Sequence, residues 1–101
     1  MASRLELQAT FENILGSRDV YFQPPESLKI NYPAIIYWLG NIEQSYADDG
    51  LYTSVNQYTV TVITKDPDSD LVGKVAAMPL CRFDRSYKAD NLNHYVYTLY
   101  F

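Results

Sequence analysis

The chain has 101 residues, 48% of them hydrophobic, and a formal net charge of −4. That length and composition predict one domain spanning residues 1–101 and exclude a disordered chain. No apolar run approaches the ~20 residues needed to cross a bilayer. Met1 to Thr10 lacks the basic-then-apolar order of a signal peptide. A lone cysteine, Cys81, excludes an internal disulfide and fits a reducing compartment.

The predicted elements begin with a capping box, Ser3 with Glu6 three residues on. Leu7, Phe11, Ile14 and Leu15 follow at helical spacing, giving an amphipathic helix of about 12 residues that Gly16 stops. Val20-Tyr21-Phe22 is a short extended piece cut off by Pro24-Pro25. After Pro33, Ala34 to Tyr46 reads as a strand, Ala47-Asp48-Asp49-Gly50 as a turn, and Tyr52 to Thr64 as a second strand. A turn centred near Asp49 pairs Trp38 with Val60 and Ile36 with Val62. Ile36, Trp38, Tyr58, Val60 and Val62 then share one face, Gly40 falls opposite Tyr58, and Tyr37, Gln57, Thr59 and Thr61 form the other, more polar face. Two strands of about 12 residues reach roughly 40 Å, longer than one small core needs. The half from Asn41 to Gln57 is therefore expected to project as an arm.

Asp66 caps a second helix, with Pro67 at its first position and Pro79 closing it. Leu71, Val75 and Met78 form its buried stripe. Leu80 to Arg85 is a strand, Ser86 to Asn93 a polar turn, and His94 to Phe101 a last strand. The predicted fold is α+β: an antiparallel four- to five-stranded sheet with two helices packed on one face and a long projecting β-hairpin.

Each candidate chemical constellation fails on a countable requirement. Asp66, Asp68 and Asp70 resemble the start of a calcium loop, but Leu71 and Ala77 stand where that loop needs glycine and glutamate. They read as acids favouring a helix N-terminus. With the last hairpin turning near Asp90, His94 faces Ser86, and Cys81 lies roughly 16 Å away along the strand. Cys81, His94 and Asp84 then make no nucleophile set, and Cys81 reads as a small buried side chain. One histidine with one cysteine is too few for zinc. The four glycines, at 16, 40, 50 and 73, make no phosphate loop. No catalytic, cofactor or metal site is expected, so the chain is expected to act by binding other macromolecules.

Charge and aromatic content say what kind of binding. The eight basic residues are scattered, with Arg82 and Arg85 the only close pair, whereas nucleic-acid readers show a basic stripe. Ten of the fifteen aromatics are tyrosines, a residue enriched both in strands and at protein interfaces. The candidate interface comprises the hairpin tip, Tyr46, Asp48, Asp49, Leu51 and Tyr52, and the short edge Val20, Tyr21 and Phe22.

The stretches Leu15 to Pro25, Tyr32 to Tyr37, Lys65 to Asp70, Phe83 to Arg85 and Asp90 to Phe101 together resemble small head–tail proteins of long-tailed bacteriophages, most of all the tail terminator (tail-completion) proteins. The resemblance implies a small α+β domain without catalytic residues, acting as a structural protein of the virion neck. It implies a homo-oligomer, a hexameric ring that caps the tail tube protein and docks to the head–tail connector or stopper. DNA would pass through without sequence-specific binding, and no membrane would be involved. The protein would be made in the bacterial cytoplasm and end in the virion. Another neck protein, a stopper or adaptor, and a small acidic inhibitor of a host protein are the alternative readings.

Overall fold

A computed structural model describes residues 4–47 and 50–101, with side chains apart from those of residues 45–47 and 51–53. The elements in chain order are α1 (Arg4–Leu15), β1 (Val20–Phe22), β2 (Ala34–Ala47), β3 (Gly50–Thr64), α2 (Leu71–Ala76), β4 (Cys81–Ala89) and β5 (Leu92–Tyr100). The five strands form one sheet in the order β1-β2-β3-β5-β4. The fold is α+β with a mixed, mostly antiparallel sheet.

Helix α1 follows from its spacing. Leu7 and Phe11 are fully buried, and Ile14 and Leu15 pack against the same core. Ser3, the expected cap, lies outside the described residues. The helix ends on Gly16, whose amide donates to the Glu12 carbonyl at 2.9 Å with φ at +78°. A side chain resists that left-handed conformation. Gly16→Ala is therefore expected to destabilise the fold by about 1 kcal/mol, read as a lower urea midpoint at constant slope.

β1 corrects the expectation of wholly antiparallel pairing. Val20, Tyr21 and Phe22 run parallel to Ile35, Ile36 and Tyr37. Only short turns force antiparallel neighbours, and residues 23–33 are long enough to carry the chain back for a parallel return. Within them the Leu28 amide donates to the Pro25 carbonyl at 3.0 Å.

β2 and β3 pair antiparallel from Ala34–Ile63 out to Ala47–Gly50, and here the predicted register is corrected. Trp38 opposes Thr59 and Ile36 opposes Thr61, while Tyr37 opposes Val60 and Ile35 opposes Val62. A slip of one residue exchanges the faces of a strand. Tyr37 and Ile35 are thus fully buried beneath the helices, and Trp38 is 41% exposed on the other side. The slip arises at the turn: a turn centred on Asp49 pairs Asp48 with Gly50, whereas the ladder starts from Ala47–Gly50, and two irregularities further along cancel each other. Between Ser45 and Tyr46 the register shifts because Tyr52 is an extra residue on β3; between Leu39 and Asn41 it shifts back because Gly40 is extra on β2. The predicted register is the one found between these points, continued past Gly40. Leu39, not Gly40, opposes Tyr58. A Cβ on Gly40 would stand 3.1 Å from the Thr59 Oγ1, a close approach that suits glycine at the bulge.

The second helix starts later than its acids suggest. Asp66 organises a turn instead of a cap: its Oδ1 accepts from the Asp68 amide at 2.9 Å, and its carbonyl accepts from the Ser69 amide at 3.3 Å. Asp70 holds the N-cap position without a side-chain bond. Leu71 and Val75 are buried, and Met78 packs beside them. β4 runs to Ala89, through most of the expected polar turn, because Asp90 and Asn91 alone make the reversal, both with positive φ. Alternation fits β5: Tyr97 and Leu99 are fully buried, with Tyr95 and Phe101 against the core.

The main core lies between the helices and one sheet face. It joins Leu7 and Phe11 of α1, and Leu71 and Val75 of α2, to Val20, Ile35, Tyr37, Tyr58, Val60, Val62, Tyr97 and Leu99. A smaller cluster of Ile36, Ile63 and Leu92, with Tyr21 and Ile30, occupies the opposite face.

Candidate interaction surface

The sheet order leaves two outer strands of different kinds. β1 is three residues long and already engaged. The Asp19 carbonyl, accepting from the Ile35 amide, and the Gln23 amide, donating to the Tyr37 carbonyl, face β2. By alternation Val20 and Phe22 turn their backbone groups outward. The Val20 carbonyl accepts from the Gln8 Nε2 at 2.9 Å. Val20 is buried, and the Tyr21 hydroxyl donates to the Asp19 Oδ1 at 3.2 Å. The Phe22 ring packs on Tyr37 at 4.9 Å and beneath the Arg4 guanidinium at 4.6 Å. Val20 is thus buried and Tyr21 and Phe22 are half-buried with their side chains engaged, so β1 offers little beyond a short stretch of backbone.

The other predicted surface, around the hairpin tip, divides. Asp48 and Asp49 lie outside the described residues. The backbones of Tyr46 and Leu51 pair with each other, and Tyr52 is the extra residue beside them. The β3–β5 ladder ends at Gln57 and Tyr100, after which the Phe101 amide donates to the Asn56 carbonyl at 3.0 Å. β1 covers β2 only up to Tyr37. From Asn41 to Ala47 and from Gly50 to Val55, β2 and β3 therefore pair only with each other. Ile42 and Val55 are exposed there.

β4 is the feature that sequence reasoning cut short. Every residue from Arg82 to Lys88 is exposed, and among the described residues β5 is the strand's sole sheet neighbour. It carries Arg82, Arg85 and Lys88 with exposed Phe83 and Tyr87. The register shifts at Asp84, whose carboxylate accepts from the Arg85 guanidinium at 2.8 Å. The Tyr87 ring stacks on His94 at 4.7 Å. Asp90-Asn91 was a legible tight-turn signal that would have extended β4 back to Ala89.

The geometry keeps the candidate catalytic groups apart. His94 opposes Tyr87 instead of Ser86, and Cys81 opposes Leu99, five positions further along β5. That separation is roughly 16 Å at strand spacing. The His94 Nδ1 lies 3.1 Å from the Leu92 carbonyl. Cys81 is half-buried, and burial pushes its thiol up, the opposite of an activated thiolate. Among the described residues no three His, Cys, Asp or Glu side chains converge as metal ligands, and no helix is long and apolar enough to cross a membrane. Two shallow hollows remain. One, of about 260 Å³, is lined by Ser86, Tyr87, Lys88, Asn93 and Tyr95; the other, of about 300 Å³, lies by Tyr32, Pro33 and Lys65. Neither gathers more than one cationic side chain.

No family model and no curated protein matches the chain.

Proposed function

We propose that this chain is a structural subunit of a virus particle: the tail terminator of a long-tailed bacteriophage, forming a hexameric ring that caps the tail tube and docks to the head–tail connector. The observation that carries the reading is the unequal pair of sheet edges combined with the long β2–β3 ladder. A ring needs two different, complementary patches on each copy, because one subunit's patch meets another patch on the next. Here β1 and β4 end the sheet on opposite sides, and β2 and β3 continue past both β1 and β5 as a two-stranded ribbon. The principal extents of 51 × 27 × 23 Å fit a domain with an arm that reaches a neighbouring subunit or the tube. The net charge of −4 suits a passage through which DNA slides without binding. The resemblance of Leu15 to Pro25 and of Asp90 to Phe101 to neck proteins supplies the assembly.

Negative-stain microscopy and native mass measurement of the purified chain test this. Closed rings are expected, six copies each. A strict monomer at every accessible concentration, binding neither tail tubes nor connectors, sinks the proposal. In an infected culture, loss of the gene is expected to give tails of abnormal length. Normal tails beside heads that leak DNA would instead identify a stopper.

A further inference from the structure

We propose that the basic outer edge of β4 in one copy docks the Glu43-bearing open edge of β2 in the next, extending the sheet from subunit to subunit. The inference rests on the ring reading and assigns the joint within it. Both surfaces are open sheet edges. Among the described residues β4 has β5 as its strand neighbour, and β2 from Asn41 to Ala47 has β3, so each has an outer edge to which a second strand can add.

Charge selects the partner. Residues 30–64 contain no Lys, Arg or His; their charged residues are Glu43, Asp48 and Asp49. The nine residues of β4 hold three of the chain's eight basic side chains against one acid. Arg85 is engaged by Asp84 at 2.8 Å, but Arg82 and Lys88 form no ion pair among the described residues. The Glu43 residue is exposed, and its carboxylate accepts a long bond from the Tyr100 hydroxyl at 3.4 Å. A chain of net negative charge repels its own copies on average, so a basic strip facing an acidic one sets where they meet. Apolar side chains accompany both strips: Phe83 and Tyr87 on β4, Leu39 and Ile42 on β2. The competing account is that Arg82, Lys88 and the Asp84 bulge merely keep an edge strand from pairing. The two accounts differ in what charge reversal does.

The test uses the full chain, sized by native mass measurement and sedimentation across a concentration series at low and high salt. Docking predicts a salt-weakened assembly. It predicts that Arg82→Glu with Lys88→Glu raises the dissociation concentration about tenfold or more, and that Glu43→Lys weakens assembly in the same direction. Mixing the Glu43→Lys chain with the Arg82→Glu/Lys88→Glu chain is expected to restore assembly, since every joint then unites opposite charges. Far-ultraviolet dichroism checks that each variant stays folded, and the salt dependence of the unaltered chain needs no variant. Rings that ignore salt and all three reversals overturn this joint and leave the ring standing. A chain that never assembles overturns both.

Discussion

Tyr37→Ala is expected to destabilise the protein by about 3–5 kcal/mol, and Trp38→Ala by about 1 kcal/mol or less. The ranking is counter-intuitive, because tryptophan is the larger residue. It follows from the register. Tyr37 is fully buried, with the rings of Phe11, Phe22 and Tyr58 around it at centroid distances of 5.2, 4.9 and 5.8 Å. Its hydroxyl donates to the Gln8 Oε1 at 2.6 Å and accepts from the Arg4 guanidinium at 3.2 Å. Truncation opens a ring-sized cavity between α1 and the sheet and strands two helix side chains. Tyr37→Phe keeps the packing and removes only the hydroxyl, so a loss of about 1–2 kcal/mol is expected. Trp38 lies on the opposite face beside Thr59, 41% exposed. Urea unfolding of the three variants at one pH reads the ranking directly. Equal or larger loss at Trp38 would mean that β2 carries the other face inward.

That pair also shows where the sequence was legible. The helical spacing of Leu7, Phe11, Ile14 and Leu15 names α1 and its inner face, since one period suffices to place a face. The alternation in β5 does the same for Tyr97 and Leu99. β2 resisted because Ala34 to Leu39 is apolar at every position, so period two marks no inner side. Its face then depends on counting back from the turn, and centring the turn on Asp49, when Ala47 opposes Gly50, shifts every pair from Ala34 to Leu39 by one, while the bulges at Tyr52 and Gly40 offset each other. α2 was misplaced for a different reason: Asp66 and Pro67 suit an Asx turn as well as a helix start. The open edge of β4 was not legible: β4 is an edge only because β5 inserts next to β3, and that order is set by tertiary packing.

Raising the pH through 10 to 12 is expected to remove up to about 2.7 kcal/mol of stability through Tyr97 alone. The side chain is fully buried, and its hydroxyl donates to the Val72 carbonyl at 3.0 Å, tying β5 to α2. Burial disfavours the phenolate, nearby Cys81 and Tyr95 add to the effect, and the hydroxyl is pushed up to about 12 from an ordinary 10.0. The unfolded chain therefore releases this proton first. Stability from the group is complete below pH 10 and declines as pH rises towards 12, because there the unfolded state binds fewer protons than the folded one. Burial raises Tyr37 in the same direction, so the unaltered protein slopes downward by more than one group. Tyr97→Phe isolates the Tyr97 share. Near neutral pH it is expected to be about 1 kcal/mol less stable for want of the bond to Val72. Above about pH 11 the order should reverse, since phenylalanine has no proton to lose. Parallel curves for the two proteins across that range would mean that Tyr97 keeps an ordinary titration in the fold, and that its hydroxyl reaches water past α2.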